Sequence, residues 1–413
     1  MAFRFRPSLL ATRNVRTSFN AQQYLASTTR RIQPAFALQS LRCRSTAGNG
    51  AQSGAAETRT ITIPTLPKVL IGLALACLTV GLYEYLVSDI QKYPPDIRQA
   101  LRKALYYQHN GKDLNSSVKY FREALQLALE SSEMERDGAP LTGIMIQLGA
   151  LLESMGRLPE ARQTLTLALR HLAGFENDRD SPSNKPDSAF FDLDVGQLPP
   201  ATQKKLVGIA QKLGDINASM KRDEDAEKWY TWSVEHLLKI SSKPVSPYGD
   251  SDQIIFDKEH MPKWLTETEM GAALEALGGF YAERNKPSYA IHLYLRALTL
   301  SGAQNCHSTV IMNNLSEAFA SMGRVDEAKQ WAERGLELAE NPNTAKIDND
   351  APVCNESYGV LLYNMGILLE QTDDKNGAIA YYEKARNHGR QYKLLECIQQ
   401  SNLALRRLQQ QQQ

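Results

Sequence analysis

The sequence predicts an all-α chain: a superhelix of about six helical hairpins and a closing helix, set behind one membrane-spanning helix. Three observations carry this prediction. From Asp96 onward, apolar residues recur at three- and four-residue steps with hardly any strand-like alternation. The string Ser-Met-Gly-Arg occurs at 154–157 and again at 321–324, each time amid the same small residues. A stretch apolar on every face, 66–87, precedes the helical region.

The chain opens with an address. Residues 1–56 hold eight arginines and no acid, and residues 1–47 are also rich in Ser, Thr and Ala. That composition predicts a mitochondrial transit peptide over 1–47, followed by a linker over 48–65. The +8 of this leader against a whole-chain net charge of +1 leaves the remainder near −7. A mildly acidic body excludes the basic stripe of a nucleic-acid binder.

Leu66–Val87 is the predicted transmembrane helix. Its apolar run from Val69 to Tyr83, extended to Val87, approaches the ~20 residues that span a bilayer. A buried core helix would be amphipathic, and this one is not. Arg59, Lys68 and the leader arginines precede the span, whereas Asp89, Lys92 and Asp96 roughly balance after it. The positive-inside rule then keeps the N-terminus in the matrix. The remainder would project from the mitochondrial inner membrane into the intermembrane space.

The repeat explains the recurring string. Aligned on Leu148-Gly149, the chain shows partners at Leu213-Gly214, Leu277-Gly278, Leu315-Ser316 and Met365-Gly366. Twelve residues beyond the second member stand Ala161, Ala226, Ala290, Ala328 and Ala378. Four further come Leu165, Tyr230, Tyr294, Ala332 and Tyr382, and three beyond those Ala168, Ser233, Ala297, Gly335 and Ala385. Small residues on both helices let an antiparallel pair approach closely, and a larger side chain fills the gap beside them. Gly156 and Gly323 sit where a glycine ends the first helix. This pattern resembles the tetratricopeptide repeat, a helix-turn-helix unit of 34 residues. A degenerate copy leads it, with Ser117, Phe121 and Ala124 on its second helix. A closing amphipathic helix is expected through Leu394, Ile398, Leu403 and Leu408, ahead of a Gln tail at 409–413. The repeat domain spans 93–408. Insertions at 174–200 and 241–262 lie outside the hairpins and are expected to be disordered rather than functional.

Nothing in the sequence points to catalysis, a metal or a cofactor. The seven histidines lack paired-ligand spacing, and no phosphate-cradling or nucleophile motif occurs. Of the five cysteines, Cys43 and Cys77 precede the repeats. The wide spacing of Cys306, Cys354 and Cys397 favours buried free thiols, with a long-range bridge left open.

A groove lined by the first helices would suit an extended peptide. The resemblance to tetratricopeptide repeats implies that Asn314 and Asn364, each two residues before the aligned small residue, contact a bound backbone; a side-chain amide offers both a donor and an acceptor. Equivalent places hold Gln147, Lys212 and Ala276. The lysine and arginine set that grips a terminal carboxylate in chaperone-binding members is not found at repeat spacing.

Taken with "KYPPDIRQALRKALYYQHNGKDLNSSVKYFREALQLA" at 92–128, the order of leader, span and repeats resembles the fungal inner-membrane adaptor subunit of the i-AAA protease. That resemblance implies a non-enzymatic adaptor for mitochondrial protein quality control. Its partners would be the i-AAA protease, the other adaptor subunit of that protease, and unfolded or membrane protein substrates. An import receptor or complex-assembly scaffold using the same groove is the alternative.

Overall fold

The computed structural model describes residues 92–134, 138–175, 188–191, 195–242, 260–302, 304–341, 343–344 and 351–412. The expected transit peptide, linker and span lie outside these, as do Cys43 and Cys77. Among the described residues there is no strand, and no helix is long and apolar enough to cross a membrane.

Thirteen helices of 15 to 21 residues account for nearly all the described chain. The contacts separate the chain into two compact units. In the first, α1 (Pro95–His109) and α2 (Leu114–Glu130) form one hairpin. Its turn places Lys112 in the left-handed region, and Asp113 caps α2 by accepting from the Ser116 amide. Ser117 Oγ donates to the Ala104 carbonyl at 2.8 Å, and Phe121 fills the space beside them.

The second unit carries five hairpins and a closing helix. They are α3 (Ala139–Ser154) with α4 (Leu158–Leu172), α5 (Pro200–Ser219) with α6 (Asp223–Ile240), and α7 (Glu267–Glu283) with α8 (Pro287–Ser301). Then come α9 (Cys306–Ser321) with α10 (Val325–Glu340), α11 (Ala351–Gln371) with α12 (Lys375–Tyr392), and α13 (Leu395–Gln412). Each second helix packs on the first helix of the next hairpin. One hydrophobic core runs without a break from Val207 to Leu408.

The aligned residues sit where the helices touch. A Cβ added at Gly149 would fall 2.6 Å from Leu165, one at Gly214 2.9 Å from Tyr230, one at Gly278 2.8 Å from Tyr294 and one at Gly366 2.6 Å from Tyr382. Ala161, Ala226, Ala290, Ala328 and Ala378 are fully buried. Where Ser316 replaces the glycine, its hydroxyl donates to the Ala328 carbonyl at 2.8 Å. Gly335 leaves room for Leu361 of the following hairpin, 2.9 Å from where a Cβ would stand.

All five hairpin turns are the same turn. Gly156 and Gly323 are left-handed (φ +73° and +79°), and so are Lys221, Asn285 and Asp373 (φ 59° to 62°). In each, the next amide reaches back to a carbonyl five residues earlier, for example Arg222 N to Asn217 O at 2.9 Å. A side chain in that region costs roughly 1 kcal/mol. Lys221→Gly is therefore expected to stabilise the chain by about 1 kcal/mol, read as a raised urea midpoint.

Three expectations are corrected. Cys306 and Cys354 are joined by a disulfide with their Cα atoms 4.8 Å apart, and Cys397 is the buried free thiol. The two bonded cysteines stand at the starts of adjacent first helices, which stacking brings together. The first insertion is ordered where it is apolar. Phe190 is fully buried, with its ring centroid 4.7 Å from Trp232 and 5.4 Å from Trp229. Residues 176–187 and 243–259 of the insertions lie outside the described residues. On α13 the core face is Ala404, Leu405 and Leu408, whereas Leu403 is 58% exposed. This helix runs on to Gln412, through most of the Gln tail. Arg407 binds Glu370 of α11 through both carboxylate oxygens, which sets the rotation of the helix.

Candidate functional site

The first helices of the second unit share a polar seam. Its members are three of the residues two places before the aligned small residue: Lys212, Asn314 and Asn364. On α5, Lys212 Nζ lies 3.1 Å from Glu153 of α3 and 3.6 Å from Asp215. Burial opposes the charge of Lys212, but Asp215 and Glu153 outweigh it and hold the ammonium above its ordinary range. On α9, Asn314 Nδ2 donates to Glu275 of α7 at 3.1 Å. On α11, Asn364 Nδ2 donates to Asn313 Oδ1 at 2.9 Å and to Glu317 Oε1 at 3.1 Å, both on α9. Each of the three side chains thus reaches back to the preceding first helix. The position joins one hairpin to its neighbour.

This changes the reading of the two asparagines. Asn364 is fully buried and its amide is committed between helices, so it is no contact for a bound backbone. Asn314 keeps partial exposure and stays at the surface beside Glu275. Sequence spacing gave both the same place. They differ because α11 packs closely against the preceding first helix, α9, whereas α9 meets its own predecessor, α7, only sparsely.

Two carboxylates that sequence reasoning passed over complete the seam. Glu275 is 9% exposed, and its Oε2 lies 2.9 Å from His307 Nε2. Glu317 accepts from both Asn313 and Asn364 on one oxygen, Oε1. Burial pushes its carboxyl up to about 7, against the downward pull of the two amides. The only sequence signal was their helical spacing from the asparagines.

The raised value fixes the sign of a pH dependence. Between about 4.5 and 7 the folded chain holds a proton on Glu317 that the unfolded chain has lost, so stability falls as pH rises through that window. The loss is expected to reach up to about 3 kcal/mol by pH 8. Glu317→Gln should flatten that slope in urea unfolding between pH 4.5 and 8, and should be the more stable protein at pH 8.

A second concavity of about 710 Å³ lies over α11 between α10 and α12, lined by Glu333, Glu337, Tyr358, Leu362, Tyr381 and Lys384. Burial, aided by Glu340 and Glu333 respectively, raises Tyr358 and Tyr381 above the usual phenol range. Among the described residues, no group of three or more His, Cys, Asp or Glu side chains is arranged to hold a metal.

The family models agree with the repeat assignment. The tetratricopeptide-repeat family matches residues 309–341 and 360–385, which cover α9/α10 and most of α11/α12. A TPR repeat-containing protein of Schizosaccharomyces pombe is 23% identical over 335 residues, 78% of this chain and 80% of that protein. The human protein called tetratricopeptide repeat protein 19, mitochondrial, is 25% identical over 146 residues, 34% of this chain and 37% of its own length. Among solved structures, BtubC from P. vanneervenii aligns at 15% identity, with a TM-score of 0.43, covering 73% of this chain and 91% of that one. YrrB, described as a TPR protein with an unusual peptide-binding site, aligns at 14% and 0.34, covering 66% and 93%. The chain carries tetratricopeptide repeats, a scaffold for protein–protein interaction.

Proposed function

We propose that the chain is a membrane-anchored adaptor of the mitochondrial inner membrane. It holds unfolded or membrane protein segments on its repeats and presents them to the i-AAA protease. The observation that carries this reading is the run of first helices, α7 and α9 above all, where Asn314 keeps partial exposure beside Glu275. Such a face offers donors and acceptors to an extended segment without needing a particular sequence. The leader and the apolar stretch at 66–87 support the anchor, and tethering beside the protease would raise the effective concentration of captured segments toward millimolar. The Cys306–Cys354 disulfide supports an oxidising compartment for the repeats, because such bonds rarely persist in reducing ones.

Protease protection of isolated mitochondria tests the reading, with a tag after Gln413 and the protease complex isolated in parallel. The tag should survive in intact organelles and be digested once the outer membrane is ruptured, and the chain should co-isolate with the protease. Digestion in intact organelles would give the role to an import receptor. Survival after rupture would place the repeats in the matrix.

A further inference from the structure

The disulfide ties two neighbouring first helices at their starts. Cys306 is the first residue of α9 and is fully buried; Cys354 lies in the first turn of α11 and is 3% exposed. The bond joins neighbouring first helices from two hairpins, across a separation of 48 residues. Just below it the same two helices are joined by a Thr309–Ser357 hydroxyl contact, and further down by the Asn313–Asn364–Glu317 group. Cys306 thus heads a ladder that closes only when α11 seats on α9. Ten residues, 341–350, separate α10 from α11 in the sequence.

We infer that Cys306 and Cys354 are the point at which a disulfide donor acts on this chain, and that it acts before α11 docks. A thiolate must approach a donor sulfur in line, and no donor reaches a sulfur sealed between packed helices. In the open state one cysteine thiolate attacks the donor disulfide, forming a mixed disulfide and expelling one donor thiolate. The second cysteine thiolate then attacks the protein sulfur of that mixed bond and expels the other donor thiolate. Two protein thiols become one disulfide, the donor takes up two electrons and becomes two thiols, and two protons are released from the chain. The partner implied is a dithiol–disulfide oxidant. The bond it leaves holds the α9–α11 seam shut, so completion of the seam depends on the redox history of the chain.

Microscopic reversibility supplies the test, since the state through which the bond forms is the state through which it breaks. The full chain, purified in detergent in its oxidised form, is exposed to reduced glutathione, and each cysteine is followed by alkylation and peptide mass spectrometry. The Cys306–Cys354 peptide pair should be present at the outset. Its reduction should be at least about tenfold slower in the folded chain than in denaturant, because reduction waits on local opening. In Cys306→Ser, oxidised glutathione added during refolding should leave a mixed disulfide on Cys354, and added after folding should leave almost none. Equal reduction rates with and without denaturant overturn the proposal, as does recovery of Cys306 and Cys354 as free thiols from mitochondria. The reduction assay uses only the wild-type chain, so it decides the matter even where the serine variant fails to fold.

Discussion

Cys354→Ala is expected to lower the stability of the second unit by about 4 kcal/mol, the loop-closure entropy that a cross-link spanning 48 residues removes from the unfolded chain. A typical domain has only 5–15 kcal/mol in total, so this is a large fraction. The loss should concentrate at one end of the array. Repeats depend chiefly on their neighbours, and α11 is held to α9 by the bond, the Thr309–Ser357 contact and the Asn364 amide. Hydrogen exchange should show α11, α12 and α13 losing protection while α3 to α6 keep theirs. Loss spread evenly over all the helices would mean that the bond is not the local clasp described above.

Tyr382→Ala is the second large effect, expected at about 3–5 kcal/mol. Its ring is fully buried on α12 and lies against the backbone of Gly366 on α11, the close approach that defines the hairpin. Truncation empties a site that the neighbouring helices cannot collapse into. The reciprocal change, Gly366→Ala, drives a methyl group to 2.6 Å from the same ring and should cost about 1–3 kcal/mol. Combined, the two should cost less than their sum, because the new methyl partly fills the space the ring vacates. Urea unfolding of the two single variants and the double variant reads the coupling. Strict additivity would separate the two residues and contradict the packing.

The sequence carried whatever repeats within one hairpin. Gly214, Ala226 and Tyr230 recur in kind at fixed spacing because one helix pair must satisfy one contact geometry, so their roles could be read without coordinates. The left-handed turns at Lys221, Asn285 and Asp373 were less visible. Asn and Asp tolerate that region, but Lys221 has no preference for it, and there the turn's hydrogen bond to Asn217 imposes the backbone. Contacts between hairpins were hidden. Asn314 and Asn364 occupy the same repeat position, yet Asn364 is buried and Asn314 is not, because burial there depends on how closely each first helix meets the one before it. The disulfide was hidden for the same reason: 48 residues of separation say nothing about two helix starts that stacking places side by side. Phe190 shows that a polar, proline-rich insertion can still send an apolar anchor back to Trp229 and Trp232.

The most direct test of the central claim, that the first-helix face captures extended segments, is site-specific photo-crosslinking in mitochondria. Ala276 holds the position of Asn314 on α7, and replacing it removes no side-chain hydrogen bond; Tyr289 on the second helix α8 is 61% exposed and serves as the control. The account predicts that a crosslinker at 276 joins the chain to unfolded substrate polypeptides, that an excess of unstructured peptide suppresses those products, and that a crosslinker at 289 yields none of them. Substrate products at 289 but not at 276 would contradict it.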